Sequence, residues 1–420
     1  MTSRMTSKDK FDVALIGGGV IGCSVLFDLT NQGYACVLLE KEDYLLTGAS
    51  CGNSGMLHTG FDAPLNSVEL SCIKKNQQRI FELLEKLELP CKKNGVKMVA
   101  WNEKELEKLP EVQRKSFDVG IEDVTRLSLS QLHQMEPHLS YKAKGAIYIP
   151  GEAVIDPWLT PTMLAHHSKT RGAAIKTNTM VQSLQRDDYG NWDITTINGH
   201  VKASAVINCA GLYGDIVDKL SDQQTFKIKP RKGQYIVYRK PSRPLVNSSI
   251  VPVPTEMGKG VILVRSVYDN IAVGPTAEDV DSRLIPQIDP VVTRKLSQLG
   301  DTYLPGLSSN VIACMYTGVR PATEYKDYQI KFKEDRYWIT LGGIRSTGVS
   351  GCLGISNMVK EIVKDKFNLE PSSASYNTLE KILYTYDGHG IVTIGNQQYK
   401  ISHPMMRAGF DDGHNMLSSL

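Results

Sequence analysis

The sequence predicts a mixed α/β and α+β fold: a discontinuous Rossmann-like domain completed by a second domain built on an antiparallel sheet. Three observations predict it. A glycine-rich turn joins a strand-like run to a helix at the start of the chain. Two later segments, 205–215 and 337–351, again run from a strand through small residues into a helix start. The stretch 226–334 carries alternating strand-like runs in place of further βα repeats.

In chain order, Phe11-Asp-Val-Ala-Leu-Ile16 is an apolar strand, and Cys23 to Gly33 reads as a helix with Val25, Leu26 and Leu29 on its buried side. Tyr34-Ala-Cys-Val-Leu-Leu39 is the second strand, closed by Glu40. Between strand and helix stands Gly17-Gly18-Gly19-Val20-Ile21-Gly22, a G-x-G-x-x-G run. Gly17 permits the tight turn, Gly19 lets backbone approach a pyrophosphate, and Gly22 lets helix pack on strand. The helix N-terminus offers N–H groups and the positive end of its dipole to phosphates. Glu40 is placed to accept hydrogen bonds from ribose hydroxyls. A dinucleotide site follows, with an unoccupied glycine turn as the structural alternative.

The βαβ unit alone does not choose between FAD and NAD. Lys41 to Gly60 is a small-residue loop without helical or strand period, suited to lie along an extended ligand, which favours FAD. The segment 337–351 leads into a helix expected from Cys352 to Lys364. N–H groups at its start would meet the pyrimidine end of a flavin and stabilise the anionic reduced form.

The motifs Gly17-x-Gly19-x-x-Gly22, Glu40-Lys41, Asn53-Ser54-Gly55-x-x-His58, Gly151-x-x-x-x-Asp156-Pro157, Asn208-x-Ala210-Gly211, Gly318-x-Arg320-Pro321 and Gly342-Gly343-x-x-Ser346-x-Gly348 occur in that order. Together they resemble the D-amino-acid-oxidase-like FAD-dependent oxidoreductases over about Phe11 to Lys364. The likeness is strongest to the branch of FAD-dependent glycerol-3-phosphate oxidases and dehydrogenases and L-2-hydroxyglutarate oxidoreductases. It implies that FAD is held by Gly17, Gly19, Val20, Ile21, Gly22, Glu40, Lys41, Ser50, Asn53, Ser54, Val181, Ala210, Gly211, Gly343, Ser346, Thr347, Gly348 and Val349. It also implies a FAD-binding domain over 1–90, 145–225 and 335–370, and a substrate domain over 91–144 and 226–334. Tyr141 to Pro150 could also strengthen the substrate-domain sheet. The tail 371–420 carries no recognisable pattern.

Oxidising an alcohol requires a group that takes the hydroxyl proton, and an imidazole has a reference pKa of ~6.5 suited to it. By the resemblance His58 is that catalytic histidine, with Ser54 as a nearby polar partner. Arg320 matches the substrate-binding arginine, whose guanidinium can fork two bonds to a phosphate or carboxylate. Lys259 matches a lysine near the phosphate, and Ser346 is placed to bond substrate or flavin. Arg345 departs from the branch, in which an acidic residue is usual. Cys314-Met-Tyr-Thr317 resembles the motif by which monomeric sarcosine oxidases attach FAD through a cysteine thioether; a buried cysteine at a strand end is the alternative. His166 and His167 are expected at the surface or capping a helix, and His133 and His138 carry no motif.

The expected activity is oxidation of a small anionic hydroxy compound. First comes sn-glycerol 3-phosphate, giving dihydroxyacetone phosphate, and then L-2-hydroxyglutarate. Sarcosine-type amine oxidation and a non-catalytic flavoprotein are the other readings. Oxygen or a quinone would take the electrons. An iron–sulfur exit route is not expected, because the last cysteine is Cys352.

Composition bounds these readings. The 420 residues suit two or three domains at roughly 100–200 residues each. A net charge of +3 gives no electrostatic case for nucleic acid or an anionic membrane. No apolar run approaches the ~18–20 residues of a transmembrane span. The eight cysteines show no zinc or iron–sulfur ligand spacing, so no metal is expected and free thiols in a reducing compartment are. A cytoplasmic location is expected, with a peroxisome-like organelle as the alternative through Ser418-Ser419-Leu420, a variation on a peroxisomal address.

Overall fold

The computed structural model describes residues 10–241, 244–254, 260–376 and 378–413. Strand Lys10–Ile16 lies inside an eight-stranded sheet. It pairs in parallel with Cys36–Leu39 on one side and Gly199–Asn208 on the other. Ala174–Lys176 and Trp338–Gly342 extend these two parallel flanks. Parallel strands covered by helices are apolar on both faces, which is why 13–16 and 36–39 are continuous runs without alternation.

Helix Val20–Asn31 is buried from Val20 through Thr30, where the sequence pattern suggests a single buried side. It is packed against helices Leu159–Thr170 and Gly348–Glu361 as well as the sheet, so it has no face to show to water. Its one carboxylate, Asp28, is matched by Arg79, which donates to both oxygens at 2.7 and 2.9 Å. Helix Leu159–Thr170 is covered in the same way, and this corrects the expectation for its histidines. His166 and His167 are each 2% exposed. His166 Nδ1 lies 2.9 Å from the Tyr399 hydroxyl, and the His167 ring stands edge-on to Phe27.

The second sheet has nine strands. One end of it is formed by the long antiparallel pair Ile228–Tyr238 and Ile312–Thr323. Among the described residues the other pairings in this sheet are antiparallel except Ser249–Pro252 against Val96–Ala100. Two strands lie across the expected boundaries, the first of them within the stretch 141–150 that is expected to strengthen the second sheet. Gly145–Ile149 sits between Val96–Ala100 and Thr125–Leu127 in the second sheet. Gln329–Lys333 forms a hairpin with Trp338–Gly342 in the first. Only residues 334–337 join the latter two strands, and so short a connection makes them pair.

The tail without pattern is also ordered. Tyr384–Tyr386, Ile391–Ile394 and Gln397–Lys400 form a three-stranded sheet, followed by helix Pro404–Gly413. Ser418-Ser419-Leu420 lies outside the described residues. Among those described, no helix is long and apolar enough to cross a membrane.

Candidate active site

Both sheets line one cleft of about 1800 Å³. Pockets for single small ligands span roughly 300–1,000 Å³, so this one has room for a dinucleotide and a second molecule. Most of the expected residues meet here: Gly17, Gly19, Val20, Ile21, Glu40, Lys41, Ser50, Asn53, Ser54, His58, Ala210, Gly211, Arg320, Gly343, Ser346, Gly348 and Val349. Gly22 stands behind the lining, where a Cβ would lie 2.0 Å from the Gly17 carbonyl oxygen.

Three expected residues fall elsewhere. Val181 begins the outer hairpin strand Val181–Arg186 and is not in the lining. Thr347 is not in the lining, and its hydroxyl is engaged 2.6 Å from Glu69 and 2.7 Å from the Tyr328 hydroxyl. Cys314 packs against the core without lining the cleft. Burial, with smaller contributions from Asp412 and Asp411, pushes its thiol up to about 12. That burial disfavours the thiolate from which a thioether would form. Lys259 lies outside the described residues.

The phosphate-side turn is built by close approach. Gly17 has φ +112°, and a Cβ there would meet the Cys209 carbonyl oxygen at 2.6 Å. Helix Val20–Asn31 has Gly19 as its N-cap with no side-chain cap, and the Val20 N–H donates to Ser50 Oγ at 3.0 Å. Glu40 is buried, with Oε2 accepting from the Gly18 N–H at 2.6 Å and Oε1 from the Glu42 N–H at 2.9 Å. Burial pushes this carboxyl upward, while those two N–H groups hold it down. Two carboxylate oxygens offer about four acceptor sites, so both can still take ribose hydroxyls.

The far end is prepared as well. Helix Gly348–Glu361 has no side-chain cap, because the Thr347 hydroxyl is spent on Glu69 and Tyr328. Its first residues, Gly348 and Val349, line the cleft, where uncapped N–H groups suit the carbonyl oxygens of a flavin's pyrimidine ring. An uncapped helix start at each end and a buried carboxylate with spare acceptor capacity fit FAD.

His58 follows the short strand Met56–Leu57, which pairs with Ala153–Ile155 just after Glu152, while Tyr235 and Arg320 come from the second sheet. Loop residue Gly52 meets strand residue Gly318 so closely that a Cβ on Gly52 would lie 2.2 Å from the Gly318 Cα. This contact seats the 49–52 turn on the strand that carries Arg320. Arg320 Nη2 donates to the Thr276 carbonyl at 3.2 Å. Tyr235, stacked on Tyr316 at 4.7 Å, also lines the cleft; burial pushes its hydroxyl up, against a smaller downward pull from the nearby Arg320 charge and Ser54. His58 Nδ1 lies 2.8 Å from Glu152 Oε2. Glu152 is 0% exposed and also accepts from the Thr59 N–H at 2.7 Å and the Thr59 hydroxyl at 2.9 Å.

Glu152 and Tyr235 are the residues that reading the sequence missed. Glu152 stood inside the quoted motif beginning at Gly151, and Tyr235 inside a run read only as strand. A carboxylate in an otherwise apolar stretch, Gly151-Glu-Ala-Val-Ile155, was the available signal.

Four buried groups near this frame act on stability in opposite directions. Burial first, with like charges adding for His167, lowers His167 and His403 from 6.5 to about 4. Their contribution is complete above 6.5 and is lost as pH falls toward 4. Burial raises Asp156 and Asp218 from 3.8 to about 6, so theirs is complete below 3.8 and is lost as pH rises through 6. The two pairs therefore offset each other during acidification. Asp218→Asn is expected to lose about 1 kcal/mol more stability than the parent between pH 7 and pH 5, read from denaturant unfolding at both values. Equal losses in the two proteins would show that Asp218 is ionised throughout.

Comparison with known proteins agrees with this geometry. The family model described as FAD dependent oxidoreductase, DAO, matches residues 12–362. A glycerol 3-phosphate dehydrogenase of Caloramator mitchellensis is 30% identical over 356 residues, covering 84% of this chain and 74% of its own. A glycerol 3-phosphate oxidase of Mycoplasma pneumoniae is 30% identical over 376 residues, covering 87% of this chain and 98% of its own. The structure of dithionite-reduced L-alpha-glycerophosphate oxidase from Mycoplasma pneumoniae, with FAD bound, superposes with a TM-score of 0.81 at 27% identity, covering 88% of this chain and 98% of that one.

Proposed function

The chain belongs to the DAO family of FAD-dependent oxidoreductases, and on that premise we propose that it oxidises sn-glycerol 3-phosphate to dihydroxyacetone phosphate. The observation that carries this reading is the pairing, in one cleft, of a carboxylate-held histidine with a guanidinium. The first suits an alcohol proton and the second a phosphate. The names of the two 30% identical relatives support the same substrate.

FAD, when bound by the residues described above, supplies the two-electron acceptor for the hydride leaving the alcohol carbon. Glu152 accepts the Nδ1 proton of His58, which leaves Nε2 as the basic nitrogen that takes the hydroxyl proton. Loss of hydride from carbon and proton from oxygen turns the secondary alcohol into a ketone. Arg320 fixes the phosphate with charge-assisted bonds and so sets which carbon faces the cofactor. Lys229, Lys326 and Arg345 also line the cleft and add positive potential that draws in a dianion. We take oxygen as the electron acceptor, on the likeness to the oxidase that is covered over 98% of its length.

Anaerobic mixing of the FAD-loaded protein with substrates tests the proposal. Flavin absorbance should bleach with sn-glycerol 3-phosphate, and subsequent oxygen should restore it with release of peroxide. Bleaching by L-2-hydroxyglutarate or sarcosine, and not by the phosphate, would overturn the substrate. In the same assay Arg320→Lys should raise KM about 10–100-fold, the worth of a charge-assisted bidentate contact, with a smaller change in kcat.

A further inference from the structure

We propose that the C-terminal segment is a clasp that sets the cofactor-facing loop from behind, with His403 as its positioning residue. The family match ends at residue 362, so this segment is an addition to the shared unit. It is anchored on both sheets' surroundings. Ser373 and Tyr376 donate backbone N–H groups to Gly33 and Asn31 carbonyls at 3.0 and 2.8 Å, at the end of the first helix. At its other end Asp412 accepts from Asn270 Nδ2 at 2.9 Å and the Lys240 N–H at 3.2 Å, on the second sheet.

Between these anchors, two consecutive residues reach the back of the loop. Ser402 Oγ donates to the carbonyls of Leu45 and Leu46 at 3.3 and 3.1 Å. His403 Nε2 lies 3.1 Å from the Asn53 carbonyl oxygen, which also accepts the Tyr316 hydroxyl at 2.8 Å. The Asn53 side chain carries the constraint onward, donating to the Ser50 carbonyl at 2.7 Å and accepting the Gly55 N–H at 2.8 Å. Ser50, Asn53 and Ser54 all face the cleft, and Ser50 holds the first N–H of the phosphate-side helix.

The chemistry of His403 argues for a positioning role over simple filling. The ring is 1% exposed, and its Nδ1 has no partner among the described residues. A buried nitrogen without a partner carries a desolvation penalty that a phenylalanine of similar shape would avoid. The imidazole is therefore kept for the bond its other nitrogen makes. Burial holds the ring neutral at pH 7, which fixes Nε2–H as donor to the Asn53 carbonyl.

Paired variants of the full-length protein test this through FAD binding and the flavin absorbance spectrum. His403→Phe should weaken FAD about 2–10-fold, the worth of one neutral hydrogen bond, and shift the flavin band. His403→Gln, which can present an N–H to the same carbonyl, should restore both. If both variants match the parent, or both lose FAD equally, the positioning role is overturned. Should His403→Phe not fold, Ser402→Ala gives the second reading: weaker FAD supports the clasp, and unchanged FAD removes it. No readout uses substrate, so the clasp stands or falls separately from the substrate proposal.

Discussion

Replacing His58 with asparagine should lower kcat about 10²–10⁴-fold, the usual worth of a positioned general base, while FAD stays bound. The separation of effects follows from where the ring sits. His58 lines the same cleft as the cofactor-side residues, and its ring is held through Nδ1 by Glu152. The loop's cofactor-facing contacts, through Ser50 and Asn53, do not pass through the imidazole. Glu152→Gln tests the support separately. The native carboxylate accepts three bonds, from Thr59 N–H, Thr59 Oγ1 and His58 Nδ1. A glutamine must turn an NH₂ toward one of these donors, leaving a buried clash of donors that costs about 1–3 kcal/mol. The expected result is a kcat lowered by about 10–100-fold in single-turnover flavin reduction, with KM close to that of the parent. A Glu152→Gln protein reduced at the parental rate would show that the carboxylate serves only the 59–60 turn.

What the sequence disclosed divides by the range of the forces involved. The turn Gly17 to Gly22 and the acid at Glu40 were legible because local sterics and the βαβ geometry fix them within one continuous stretch. The Gly52–Gly318 contact was legible only as two separate motifs, since nothing in either segment names the other. Glu152 and His403 were harder still. Each acts through a partner 94 or 350 residues away; Glu152 is marked only by standing alone in an apolar stretch, and His403 by no local pattern. His166 and His167 were misjudged for a related reason. A polar residue on a helix reads as exposed, and the tail that covers this helix had no signature of its own. Cys314 marks the opposite case, in which a short motif is present but the residue packs on core side chains outside the cleft lining. The function followed the legible part, because the cofactor turn, His58 and Arg320 all sit in locally recognisable segments.

Gly22→Ala is expected to produce a protein that purifies without FAD or with FAD so weakly held that it is lost on gel filtration. The Cβ would lie 2.0 Å from the Gly17 carbonyl oxygen and 3.1 Å from its carbon. Real carbon atoms do not approach a carbonyl that closely, and the neighbour is backbone, so no side chain can rotate aside. The start of helix Val20–Asn31 must move off the end of strand Lys10–Ile16, at an overpacking cost of order 1–3 kcal/mol. The displacement falls on the turn that carries Gly17 and Gly19, and Gly17 is already pressed against the Cys209 carbonyl at 2.6 Å from where its own Cβ would be. The turn therefore cannot retreat, and the phosphate-side N–H groups lose their aim. Gly214→Ala is the matched control. It begins a helix, its nearest neighbour to an added Cβ is a Phe226 ring atom at 3.5 Å, and alanine favours the helical state. That variant should keep its FAD and unfold within about 0.5 kcal/mol of the parent. If Gly22→Ala binds FAD as the control does, helix and strand are not held by this contact, and the glycine turn is not what positions the phosphates.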